Sequence, residues 1–174
     1  MGNKSKTKKL VTISIMLSIS IVLSIVESFF PIGVTGAKLG LANIVTLVVM
    51  YLYSSKDATG LLLLRILLVS LLYSGFGSNT FWLSLSGGVF SLTLMLFIKY
   101  TKRFSIVSVS VVGSLGHAMG QILMSMFLLN TAYLIFYFPV IFLVAIPTGV
   151  FVGVTAKKFI KLAKDQNLIE IAEN

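Results

Sequence analysis

Apolar residues run in six long blocks along the chain, with polar residues mainly between them. The blocks are Leu10–Phe30, Leu39–Tyr53, Ala58–Phe76, Thr80–Ile98, Phe104–Leu129 and Thr131–Ala156. A bilayer's hydrocarbon core is about 30 Å thick and takes about 20 helical residues to cross. Five blocks are long enough. The second has 15 residues, a rise of only about 22 Å. Backbone groups in lipid must be satisfied within a segment or a closed barrel, and none of the blocks shows the period-two alternation of barrel strands. The pattern predicts an all-α membrane protein with six transmembrane helices over residues 10–156. A basic tail at 1–9 precedes them and a basic amphipathic tail at 157–174 follows.

Composition agrees. The chain is 57% hydrophobic and 11% charged over 174 residues, against about 45–50% and about 25% in soluble domains. That balance excludes an ordinary water-soluble globule, and disorder needs the reverse. The net charge of +9 could suggest nucleic acid, but the basic residues punctuate apolar runs instead of forming a folded basic face. No nucleic-acid partner is expected. With the N-terminus in the cytoplasm, six spans return the C-terminus there. The inside then holds Lys4, Lys6, Lys8, Lys9, Lys56, Lys99, Lys102, Arg103, Lys157, Lys158, Lys161 and Lys164, and the outside only Lys38. This is the positive-inside pattern of a multi-pass plasma-membrane protein. The Lys-rich tails also suit anionic lipid, at about 1 kcal/mol per charge near the surface. Leu10–Val26 is longer than a signal-peptide apolar region and no A-x-A-like site follows, so the first span is expected to be retained.

Ionisable and polar groups within a membrane are expensive, so each is a functional candidate. Glu27 lies near the outer end of helix 1. Lys38 and Asn43 stand at the outer start of helix 2, and Asn79 precedes helix 4. His117 is near the middle of helix 5, with Gln121 one turn further out. Their convergence from separate parts of the chain predicts an outward polar pocket. The alternative is that Glu27, Lys38 and Asn79 are simply interfacial. The segment 31–40 holds one Pro and three Gly. It reads equally as an outer turn or as irregular backbone lining a transport site. Arg65 falls about seven residues into helix 3 from the inner side, about 10 Å deep. It is expected to miss Glu27 in depth and to snorkel to the inner interface, or else to anchor a partner or pair with backbone carbonyls. Gly116-His-Ala-Met-Gly120, Gly149-Val-Phe-Val-Gly153 and Ser14-Ile-Met-Leu-Ser18 offer small-residue faces for close helix approach. His117 suits an interhelical hydrogen bond, a ligand contact or a proton-sensitive group.

Several chemistries lack their residues. There is no P-loop. One histidine and no cysteine leave no zinc site, and no cofactor is expected. Paired aspartates that would hold Mg²⁺ on a diphosphate are absent. Ser86 and His117 could form a serine–histidine pair, but the intramembrane-protease pattern G-x-S-G has Ser84 at its first position here. Close packing at Ser86–Gly88 explains those residues better. The chain is not expected to be an enzyme.

Two stretches carry a family likeness: Lys38-Leu-Gly-Leu-Ala-Asn43, after Glu27, Pro31 and Gly36, and Gly116-His-Ala-Met-Gly-Gln121, after Arg65 and Ser84–Gly88. Over about residues 10–156 the chain resembles the Gx transporter family, whose members are often labelled heptaprenyl diphosphate synthase component I. That family is similar to the substrate-binding S components of energy-coupling factor (ECF) transporters. The resemblance implies a six-helix S-component-like bundle that takes up a vitamin-like or quinone- or flavin-related molecule. It implies a transmembrane T component and two cytoplasmic ATPases as partners, and toppling in the membrane to deliver the ligand. The family's alanine-x-x-x-alanine face toward the T component is here Ser14-x-x-x-Ser18. Glu27, Lys38, Asn43, Asn79, His117 and Gln121 then become substrate-binding candidates, with 31–38 as a lid and Glu27 paired to Lys38 when the pocket is empty. Ser14, Ser18 and Arg65 become partner-interface candidates. The rival expectation is a non-transporting accessory protein of prenyl-quinone synthesis or electron transfer.

Overall fold

In a computed structural model of the chain, residues 2–30 and 38–166 are described. The proposed lid lies mostly outside them, at 31–37. The described residues form helices and no strands: α1 (Gly2–Glu27), α2 (Asn43–Leu52), α3 (Ser55–Val69), α4 (Asn79–Tyr100), α5 (Ile106–Leu128) and α6 (Phe138–Asp165). A π-helical turn, Ser70–Ser74, prolongs α3, and a 3₁₀ turn, Ala132–Tyr137, leads into α6. Five helical segments are long and apolar enough to cross a bilayer, and α2 is not.

The side chains are sorted inside out. Leu72, Phe97, Phe127 and Leu143 are each more than two-thirds exposed, while Glu27, Asn43, Arg65, His117 and Gln121 are buried. A water-soluble chain rarely exposes so much contiguous apolar surface. A bilayer accepts it, so this is a membrane protein. The same sorting explains why α4 has no sharp apolar stripe. One face meets lipid and the other meets helices, and both are apolar.

The helix ends follow local rules. Ser54, Ser78 and Ser105 are N-caps whose hydroxyls accept from Asp57, Phe81 and Ser108 amides. The second span departs most from expectation. Helix replaces coil only from Asn43, because Gly40 takes φ +84° and turns the chain into the helix. The remaining 10 residues rise about 15 Å. α2 is therefore a half-length helix, and it is apolar and buried nearly all round. It forms the inner core with Met16, Leu61, Val152, Ala156 and Ile160. The helices run on into both basic tails: α1 includes most of residues 1–9, and α6 continues through Lys157 and Lys164.

Small residues set the other seam. A Cβ on Gly120 would stand 2.6 Å from the Ser86 carbonyl oxygen, and one on Gly116 3.1 Å from that of Phe90. Those pairings run α4 and α5 antiparallel at backbone contact. Gly149 and Gly153 meet Val111 and Val107 in the same way, so α6 runs back along α5. Both Gly-x-x-x-Gly faces expected from the sequence are thus helix contacts. At one end of the bundle Lys9 pairs with Asp57 at 2.7 Å, and Lys99 Nζ donates to the Met50 carbonyl at 2.6 Å. The start of α1, the end of α2, the start of α3 and the end of α4 therefore share that end.

Candidate functional site

Because α2 starts halfway through the bundle, its first residues leave polar backbone at depth. Other elements close around them. Ser20, Ser24 and Glu27 come from one buried face of α1, spaced at four and three residues. The Glu27 carboxylate accepts from the Leu41 backbone N–H. It thereby serves the first turn of α2, where no side chain caps the helix and a negative group is favoured. Lys38 Nζ donates to the Ser24 carbonyl at 3.1 Å. The expected Glu27–Lys38 ion pair is therefore not formed, because each group finds a backbone partner first.

From α3, Arg65 Nη2 donates to Asn43 Oδ1 at 3.2 Å, and Asn43 Nδ2 donates to Ser91 Oγ at 3.3 Å. Arg65 is only 4% exposed. It neither snorkels nor presents a surface to a partner, and it lines the same cavity as Glu27, Lys38 and His117. The depth argument fails because it assumes full-length spans, whereas the half-length α2 brings Asn43 down to the level of Arg65. The π turn after α3 adds Ser70 and Ser74 to the same wall. Extra residues of this kind inside α-helices often mark functional sites. Hydropathy carries no sign of it.

On the far side, Gln121 Nε2 and His117 Nε2 lie 3.0 Å apart, and the Lys38 backbone N–H donates to Gln121 Oε1 at 3.3 Å. Two glycines grip the His117 ring. A Cβ on Gly87 would come within 2.9 Å of Cε1 and Nδ1, and one on Gly40 within 3.2 Å of Cδ2. Lys38 and His117 also line a second cavity, between α5 and α6.

Of the six substrate candidates, Glu27, Lys38, Asn43, His117 and Gln121 come together. Asn79 does not. It is exposed at the start of α4 and lines neither cavity, whereas Phe81 and Ser84 of the same helix line the one beside Arg65. Ser14 and Ser18 lie exposed on α1, away from both cavities. Ser86 Oγ donates to the Gly120 carbonyl at 2.7 Å, so it serves helix packing.

A family model described as heptaprenyl diphosphate synthase component I matches residues 16–159, which include the whole site. The chain belongs to the heptaprenyl diphosphate synthase component I family. Membership bears out the family label suggested by Lys38–Asn43 and Gly116–Gln121. No curated protein and no solved structure matches the chain. In this member of the component I family, no group of three or more His, Cys, Asp or Glu among the described residues could hold a metal. The chemistry on offer is binding chemistry: one carboxylate, two fixed cations, two amides, an imidazole and several hydroxyls, all within a membrane bundle.

Proposed function

We propose that the chain is the ligand-capturing subunit of a membrane importer, comparable to an ECF S component, and that its ligand is a small anion. The supporting observation is the buried charge imbalance: Glu27 against Lys38 and Arg65. With His117 neutral, the cluster is formally +1. One Arg65 nitrogen, Nη1, is buried without a hydrogen-bond partner. An uncompensated buried cation is costly, and a bound carboxylate or phosphate offsets that cost with charge-assisted hydrogen bonds. The ligand is vitamin-like or quinone- or flavin-related. The energy comes from ATPases on partner chains, through a T component that meets the Ser14/Ser18 face. The excess of Lys and Arg near the termini and around the α2–α3 and α4–α5 junctions supports a cytoplasmic side for both termini.

The cavities are small, about 20 and 30 Å³, enough for about one or two waters each. Small-molecule pockets run to hundreds of cubic ångströms, so binding opens the site. The family's description favours a second reading, an accessory protein of prenyl-quinone synthesis without transport. Affinity purification separates the two. Recovery of a T component and ATPases supports import, and a prenyl synthase complex without them overturns it. Lys38→Ala and Asn43→Ala should each weaken ligand retention while the chain stays folded. Wild-type retention in both variants sinks the pocket assignment.

A further inference from the structure

The two cavities differ in chemistry and share a wall. The one between α1, α2 and α3 is lined by Glu27, Arg65, Asn43, Ser70, Ser74 and Ser84. Beyond the shared residues, the one between α5 and α6 is lined by Leu39, Ile122, Ile141, Val144 and Ala145, with Ser114, Ala118 and Ser125. The Ser125 hydroxyl is already donated to the Gln121 carbonyl at 2.8 Å, which leaves that cavity mostly apolar. Lys38 and His117 border both spaces, and Gln121 joins them by hydrogen bonds. We infer that the site takes a two-ended molecule, with an anionic head beside Arg65 and an apolar body between α5 and α6, and that the Lys38–Gln121–His117 partition opens to join the two cavities. This rests on the anion-site reading above and adds the shape and the second end of the ligand.

The partition is suited to opening. Its bridge from the Lys38 N–H to Gln121 is 3.3 Å long, beyond the usual 2.9–3.0 Å of a good N–H···O bond. An anionic head offers the Lys38 N–H an acceptor in place of Gln121 Oε1, and it offers one to His117 Nδ1, which has no hydrogen-bond partner. Gly87 leaves the side of His117 and Gln121 that faces α4 without a side chain, since a Cβ there would meet both. The two rings of contacts that do not move are built differently. The Arg65–Asn43–Ser91 chain fixes the head cavity, and the Gly149/Gly153 contacts fix α6 against α5 around the body cavity.

The chain has no cysteine, so single cysteines report each cavity without background. Ser84→Cys marks the head cavity and Ser125→Cys the body cavity. Ile141→Cys on α6 replaces the latter if loss of the Ser125 bond prevents folding. The full chain in lipid nanodiscs is labelled with an anionic methanethiosulfonate, with 4-butylbenzoate as a two-ended probe and benzoate as the head alone. The expected result is that 4-butylbenzoate slows labelling at both positions by about tenfold, as about nine-tenths occupancy gives. Benzoate slows it at Ser84→Cys only, and Arg65→Met removes both effects. If 4-butylbenzoate protects Ser84→Cys but not the body-cavity cysteine, the two-ended inference is overturned and the anion site stands. If neither probe protects Ser84→Cys, both fall.

Discussion

The α4–α5–α6 seam and the α1–α2–α3 site bury polar groups to opposite ends. In the seam three hydroxyls bond closely to backbone carbonyls: Ser86 donates to Gly120, Ser110 to Gly149 and Ser125 to Gln121, all at 2.7–2.8 Å. Glycines bring backbones together, and the polar groups act as glue between helices. In the site the bonds that Lys38, Arg65 and Asn43 make are longer, 3.1–3.3 Å. Arg65 Nη1 and His117 Nδ1 have no partner there. Native structures hold few such groups, and each one calls for an explanation. The contrast separates a scaffold closed mainly by close backbone contacts from a region whose buried charged and imidazole groups are left partly unpaired.

The contrast breaks most visibly at the seam. Gly120→Leu and Gly149→Leu place side-chain atoms against backbone, 2.6 Å from the Ser86 oxygen and 2.8 Å from Val111 Cα. Each should lose about 3 kcal/mol, seen as an earlier midpoint in reversible detergent unfolding. At the site the effect moves from stability to binding. Arg65→Met should keep helical circular dichroism and weaken benzoate binding about 100-fold by calorimetry, the loss of a charge-assisted contact worth about 2.7 kcal/mol. Arg65→Lys keeps the charge but loses the planar fork toward Asn43, and should weaken binding about tenfold. Gly87→Ala pushes only on the His117 and Gln121 side chains and should reduce binding about fivefold, with stability changed by less than about 1 kcal/mol. The smallest effects belong to exposed positions. Asn79→Ala should stay within about 0.5 kcal/mol in unfolding with unaltered benzoate binding. Ser14→Leu with Ser18→Leu should likewise leave the isolated chain as stable as wild type. Its effect should appear as lost T-component recovery.

Hydropathy made five of the helices legible because lipid demands long uninterrupted apolar runs, and the glycine spacing made the α4–α5–α6 contacts legible. Two features of the site were hidden. Gly40 stops the second span halfway, but 15 apolar residues look alike whether or not they are all helical. The π turn at Ser70–Ser74 leaves no mark on composition. Depth counted along α3 alone does not locate Arg65, because its partner Asn43 sits where the half-length α2 begins. Polarity near the membrane does not by itself bring Asn79 into the site. Asn79 lies on the other side of α4 from Phe81 and Ser84, which line the cavity, and is exposed. Glu27, Lys38, His117 and Gln121 were legible because ionisable and amide groups in such a chain must find partners, and few were on offer.

Native mass spectrometry of the full chain released from lipid nanodiscs, wild type beside Arg65→Met, tests the central claim most directly. If the buried positive cluster is an anion-binding site, the wild type carries a small-molecule anion that is absent from Arg65→Met at equal folded yield. The same adduct retained equally by both proteins contradicts it.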